Sequence, residues 1–122
     1  MSKNFSHEEL ACPCCGHADI DSRLLAKVQA MRDHFGAAMK VNSAFRCTAH
    51  NRKVGGTPSS QHLLGRAIDI SIQGMSAQKK HHLVRLVGRS GFTGIGIYQS
   101  FIHLDVRHGA PALWVGQQGA GT

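Results

Sequence analysis

No apolar run in this chain approaches the roughly 20 residues that a membrane-spanning helix needs, so insertion into a bilayer is not expected. The opening stretch MSKNFSHEELACPC lacks the basic-then-apolar layout of a secretory leader, and no signal peptide is expected in the chain as given. There is no low-complexity segment, no internal repeat and no interior linker. These absences leave one domain over residues 1–122, a length that suits a single core, with about 115–122 (ending GQQGAGT) read as a flexible tail.

Acidic residues are scarce. Seven Asp and Glu stand against 14 Lys and Arg, for a formal charge of +7. Such a balance suits a polyanionic partner, whether nucleic acid, teichoic acid or an anionic membrane, or simply makes a soluble basic surface. No basic run concentrates the charge, so a specific nucleic-acid partner is not expected. The chain is expected to be a monomer.

Cysteine pairing is also missing in its usual form. Cys12, Cys14 and Cys15 crowd into CPCCGH, and Cys47 stands alone. Zinc knuckles ordinarily show two separated pairs. Three readings stay open: a disulfide from Cys47 to one of the three, four reduced thiols, or a structural metal held with His17.

What is present is clear periodicity. In DSRLLAKVQAMRDHFG, Leu24, Leu25, Val28, Met31 and Phe35 share one helical face. Asp19 or Asp21 can cap its start and Gly36 can end it. SAQKKHHLVRLVGRSG predicts a second helix, capped by Ser76, with Leu83, Val84 and Val87 inward and Gly91 as terminator. Shorter stretches alternate with period two. KVNSAFR sets Val41 and Phe45 against Asn42, Ala44 and Arg46. RAIDISI sets Ile68, Ile70 and Ile72 against Ala67, Asp69 and Ser71. SFIHLDV sets Ile102, Leu104 and Val106 against Phe101, His103 and Asp105. GFTGIGIY predicts a glycine-rich strand just before it. Helices and strands mix without regular βαβ repetition, which predicts an α+β fold with a mainly antiparallel sheet flanked by helices. One sheet face is apolar; the other gathers polar groups.

Those polar groups include His62, Asp69 and His103, a zinc-compatible set of imidazole nitrogens and a carboxylate. Three protein ligands leave a fourth position open, and bound zinc lowers the pKa of its water to roughly 7. Read one by one, the three have duller explanations: a surface loop histidine, a solvated strand aspartate and a half-buried, hydrogen-bonded histidine.

The wider pattern is more specific. Ser60 to Asp69 reads Ser-x-His-x-x-Gly-x-Ala-x-Asp, preceded by SAFRCTAHNRKVGG and followed by GIGIYQSFIHLDVR. This resembles the zinc D-Ala-D-Ala carboxypeptidases, the M15 peptidases, and in particular their small phage-type and bacterial peptidoglycan-hydrolase branch, from about Phe5 to Val106. The resemblance implies the fold shared with the hedgehog signalling domain. It also implies one Zn²⁺ per chain on His62, Asp69 and His103, and substrate contacts from Arg46 and Ser60. Arginine suits a peptide carboxylate because its planar fork donates two parallel hydrogen bonds. Asn51, Gly55 and Gly56 are expected to shape the preceding loop.

One departure stands out. The family commonly places an acid three residues before its last zinc histidine, and this chain has Ser100 there. Asp105, two residues beyond His103 on the same strand face, either serves as the base or orients the His103 ring. His108 and Tyr98 are further candidates near the cleft, and Trp114 either closes its edge or packs. The expected activity is hydrolysis of peptidoglycan stem peptides, by carboxypeptidase or endopeptidase action. The expected setting is the bacterial cell wall, as a remodelling enzyme or a phage lysis or virion protein. The alternative is a zinc-binding module that recognises cell-wall peptide or a protein without cleaving.

Overall fold

In the computed structural model, residues 1–116 are described. Helix α1 (His7–Leu10) starts on a capping box in which Ser6 and Glu9 exchange side-chain-to-backbone bonds. Phe5 and Leu10, at either end of it, are both buried in the core. Helix α2 (Ser22–Phe35) forms where the apolar spacing predicts it. Asp21, not Asp19, is its cap, accepting the Arg23 N–H at 2.8 Å. Gly36 closes it at φ 72°, a left-handed backbone suited to a residue without Cβ.

Helix α4 (Ala77–Arg89) is capped by Ser76 as predicted. Leu83 and Val87 are buried, but Val84 is 43% exposed. The inward stripe is Leu83, Leu86 and Val87, an i, i+3, i+4 set, and Val84 lies beyond its edge. Ser90 is the C-cap, with Gly91 following at φ 79°.

Five strands form one sheet in the order β1-β2-β4-β3-β5. They are β1 (Val41–Ser43), β2 (Ala67–Ser71), β3 (Gly94–Ile97), β4 (Phe101–Asp105) and β5 (Ala112–Val115). All neighbouring pairs are antiparallel except β3 and β5. The architecture is therefore the expected α+β one. Ile68, Ile70, Ile102 and Leu104 share the helix-facing core with Leu24, Val28, Met31 and Leu83. Burying each such side chain contributes about 1.5–3 kcal/mol.

The opposite face of β2 and β4 is buried as well. The 3₁₀ turn Gln61–Leu64 packs on β2, backed by helix α3 (Thr48–Lys53). Polar side chains on this face are thus withdrawn from water.

Two local features depart from the simple alternation. β1 shifts register between Val41, opposite Ile70, and Ser43, opposite Asp69. Such a bulge interrupts period two, and Ala44, expected to share a face with Arg46, joins the apolar core instead. Strand β5 was not anticipated. Its residues Leu113 and Val115 are 76% and 85% exposed while Trp114 turns onto the sheet face. The segment read as a tail from about residue 115 begins with the last residue of β5, and 117–122 lies outside the described residues.

Gly65 ends the 3₁₀ turn at φ 68°, and a Cβ there would strike the Asp19 carbonyl. Its own carbonyl accepts the Asp21 N–H at 2.8 Å, so the glycine ties the turn to the start of α2. Gly65→Ala should cost at least the roughly 1–2 kcal/mol of a left-handed backbone at a residue with Cβ. Denaturant titration should show the lowered midpoint; an unchanged midpoint would mean the turn relaxes freely.

Candidate metal centre

Ser60 caps the 3₁₀ turn by accepting the His62 N–H at 3.2 Å, and the His62 carbonyl accepts the Arg46 N–H at 3.1 Å. These bonds fix His62, which is fully buried. Asp69 on β2 lies directly opposite His103 on β4, and side chains of such cross-strand pairs adjoin. Ligand atoms of His62, Asp69 and His103 all lie within 4.8 Å of one another. His62 Nε2 is 3.2 Å from Asp69 Oδ2, and His103 Nδ1 is 3.0 Å from Asp69 Oδ1. The two rings meet edge to face at 5.2 Å.

The outer partners set the ring protons. His62 Nδ1 is 2.6 Å from the Ala44 carbonyl oxygen. A carbonyl only accepts, so Nδ1 carries the proton and Nε2 turns its lone pair inward. His103 Nε2 donates to Asp105 Oδ2 at 2.7 Å, which leaves Nδ1 to face Asp69. Two imidazole lone pairs and a carboxylate therefore converge. Acceptors at 3.0–3.2 Å repel unless a proton or a cation lies between them. The donor set of two imidazoles and one carboxylate suits zinc, and the residues fit that metal.

The electrostatics of His62 and Asp69 agree. Burial holds the His62 pKa below its ordinary value, keeping the ring neutral despite Asp69. Burial also opposes charge on Asp69, but His62 and His103 outweigh it and hold this carboxyl well below the usual range. His103 is raised: burial opposes its charge, while hydrogen bonds to Asp105 and Asp69 favour it more, so without a cation a proton on Nδ1 links it to Asp69 and a bound metal would take that proton's place.

Asp105 is fully buried and heavily engaged. Besides His103, it accepts from Arg107 Nε at 2.9 Å, Nη2 at 2.6 Å and the Arg107 backbone N–H at 3.0 Å. Burial would raise its pKa, yet His103 and Arg107 hold it well below the carboxylate range. The glycines of β3 make room for this layer. A Cβ on Gly94 would strike the Asp105 carboxylate, and one on Gly96 the Trp114 indole. Trp114 lies 5.2 Å from the His103 ring, and the Arg107 guanidinium sits 5.1 Å over its indole. Its Nε1–H donates to Tyr98 Oη at 3.0 Å.

A cavity of about 280 Å³ opens beside His103, lined by Thr57, Ser59, Ser60, Gln61, Tyr98, Arg107 and Trp114. Ser60 thus both caps the turn and reaches the cavity wall. Arg46 is 6% exposed. Its guanidinium contacts Asp69 Oδ2 at 3.6 Å, Ser43 Oγ at 3.0 Å and Asn51 Oδ1 at 3.2 Å. Asn51 in turn donates to the Thr57 carbonyl at 2.8 Å, closing the loop that carries Gly55 and Gly56. Ser100 lines a different depression, with Ile72, Gln73 and Gly74. His108 is exposed and lies 3.1 Å from Arg23 Nη2.

Arg107 and Gln61 were not singled out from sequence. Arg107 is two residues past Asp105, and an Asp-x-Arg spacing at a strand end was the available signal. Gln61 Oε1 is buried in the wall of the cavity without a hydrogen-bond partner among the described residues, which only the folded arrangement shows.

No curated protein matches the chain. The family profile described as Peptidase M15 matches residues 3–105. That span takes in the 3₁₀ turn that carries His62, the strands that carry Asp69 and His103, and Asp105 at its end, so the chain belongs to the Peptidase M15 family of zinc-dependent metallopeptidases.

Proposed function

We propose that this protein is a zinc peptidase that cleaves peptidoglycan stem peptides, as a D,D-carboxypeptidase or an endopeptidase, at the bacterial cell wall. The observation that carries the reading is the buried His62, Asp69 and His103 cluster beside an open polar cavity, in a chain of this family. The formal charge of +7 favours approach to an anionic wall. A setting in phage lysis or a virion agrees with that chemistry, and the protein would act as a monomer.

His62, Asp69 and His103 would hold one Zn²⁺. When bound, zinc supplies Lewis acidity: it activates water and polarises a carbonyl. The chain's own residues do the rest. Ala44 and Asp105 fix the two imidazoles so that both lone pairs face Asp69. Arg46 helps hold Asp69 in place, and its guanidinium would also meet a peptide carboxylate, as the family resemblance implies. Ser60 and Thr57 offer hydroxyls on the cavity wall for a peptide. Tyr98 accepts from Trp114 through its oxygen and keeps its phenolic proton to donate toward a substrate carbonyl. Asp105 has both oxygens occupied and its pKa depressed. We therefore assign it to orienting His103 rather than to accepting a proton.

A second reading has one observation in its favour. Among the described residues lining the cavity there is no Asp or Glu. A site lacking a proton acceptor binds zinc and peptide without cleaving, as a recognition module for cell-wall peptide or a protein. Mass spectrometry of muropeptides after incubation with the zinc-loaded protein separates the two. The peptidase reading expects shortened stem peptides and identifies the bond. Saturable binding with intact muropeptides would establish the module instead.

A further inference from the structure

The four cysteines lie outside the site described above, and the fold gathers them. Cys12-Pro13-Cys14-Cys15-Gly16 makes a tight turn in which Gly16, at φ 76°, donates its N–H to the Cys12 carbonyl at 2.8 Å. Cys47 arrives from elsewhere in the chain, as the N-cap of α3. The sulfurs of Cys12, Cys15 and Cys47 all lie within 4.8 Å of one another. Cys14 is exposed in the same turn, between Cys12 and Cys15 in sequence.

Distance discriminates between the ways these thiols can be used. Cys12 Sγ and Cys47 Sγ are 3.7 Å apart, against the roughly 2.05 Å of a disulfide bond. Sulfurs at about 2.3 Å from a zinc ion, placed on a tetrahedron, stand roughly 3.8 Å from one another. The observed separation is too long for a disulfide and matches a tetrahedral edge, the same spacing a thiol–thiol hydrogen bond gives.

The backbone is also arranged for sulfur anions. The Cys47 backbone N–H points at the Cys12 sulfur at 3.4 Å. The His50 N–H points at the Cys47 sulfur at 3.5 Å. Thiolates bound to a metal keep charge that such donors neutralise, whereas a disulfide sulfur offers them only a weak acceptor. Cys12 is fully buried while Cys14 and Cys15 are exposed. The cluster is therefore anchored on one side and open to metal on the other.

We propose that Cys12, Cys15 and Cys47 form the core of a second metal site, a structural zinc centre distinct from the His62, Asp69 and His103 cluster, with the exposed Cys14 of the same turn supplying the fourth thiolate when metal binds. Thiolate ligands select zinc among common divalent ions, and four protein ligands close its shell. The ion would fasten the N-terminal turn to the start of α3. Cys47 immediately follows Arg46, and α3 carries Asn51, which bonds the same guanidinium. The second ion would thus stiffen the support behind Asp69 without touching substrate.

The test is metal content with cobalt as probe, on full-length protein isolated under reductant. Wild type should carry two zinc ions per chain. His62→Ala should lose one and keep the other. Cys12→Ser/Cys47→Ser should lose one while retaining the metal on the histidines. Exchange with Co²⁺ should give sulfur-to-cobalt charge-transfer absorption in wild type and His62→Ala, and none in the cysteine variant. If the cysteine variant does not fold, the wild-type and His62→Ala spectra decide alone. Absence of that absorption from both, or a Cys12–Cys47 disulfide found by peptide mapping, overturns the proposal.

Discussion

His62→Ala should strip the metal from the histidine cluster and abolish peptide hydrolysis, with the fold retained. Among the described residues three protein donors converge there, so none of them can replace the one removed. Losing a partner outside the coordination shell typically costs about 10–100-fold in metal affinity, and losing a ligand should cost more than that. His103→Ala should behave alike. Asp69→Ala should also lose metal but carries an added penalty. It leaves the Arg46 guanidinium, 7% exposed, without its carboxylate, and breaking a buried ion pair from one side costs about 3–5 kcal/mol. Metal analysis beside circular dichroism distinguishes these outcomes. Full metal occupancy in His62→Ala would remove that residue from the ligand set.

Asp105→Asn should lower metal affinity by roughly 10–100-fold, with most of the rate recovered at excess zinc. The carboxylate bonds His103 Nε2, on the far side of the ring from Nδ1, the nitrogen that faces Asp69. Arg107 takes up both of its oxygens. It can set the direction and basicity of the imidazole, but it has no lone pair aimed at the space between the three ligands. A proton acceptor would behave otherwise: the same substitution would retain metal and cut kcat by about 10²–10⁴-fold. Rate measured against zinc concentration tells the two apart. Full activity at ordinary zinc would exclude both roles.

Much of this arrangement is legible in the chain itself. Period-two alternation in RAIDISI and SFIHLDV places Asp69, His103 and Asp105 on the face opposite the isoleucines, and the structure has them there. An aspartate between isoleucines is tolerated because its side chain points away from them into a polar cluster that satisfies it. The caps of α2 and α4 were readable for the same kind of reason, since Asp21, Gly36 and Ser76 act through local backbone chemistry.

What was not legible depends on contacts far apart in sequence. The bulge after Val41 is set by pairing with β2, so a one-strand reading misplaced Ala44. Strand β5 exists because it pairs in parallel with β3, and its four residues carry little periodic signal alone. The partners of the Arg46 guanidinium, Asp69, Ser43 and Asn51, likewise emerge only in the fold. The cysteines looked like an incomplete knuckle because Cys47 joins the others only through tertiary structure.

The most direct test of the central claim is amine release from purified peptidoglycan by one preparation in three states: as isolated, after complete metal removal by chelation, and after zinc is restored. The account predicts hydrolysis in the first, none in the second, and recovery in the third that His62→Ala cannot reproduce. Hydrolysis that persists undiminished once the metal is gone, or no hydrolysis in any state, would contradict it.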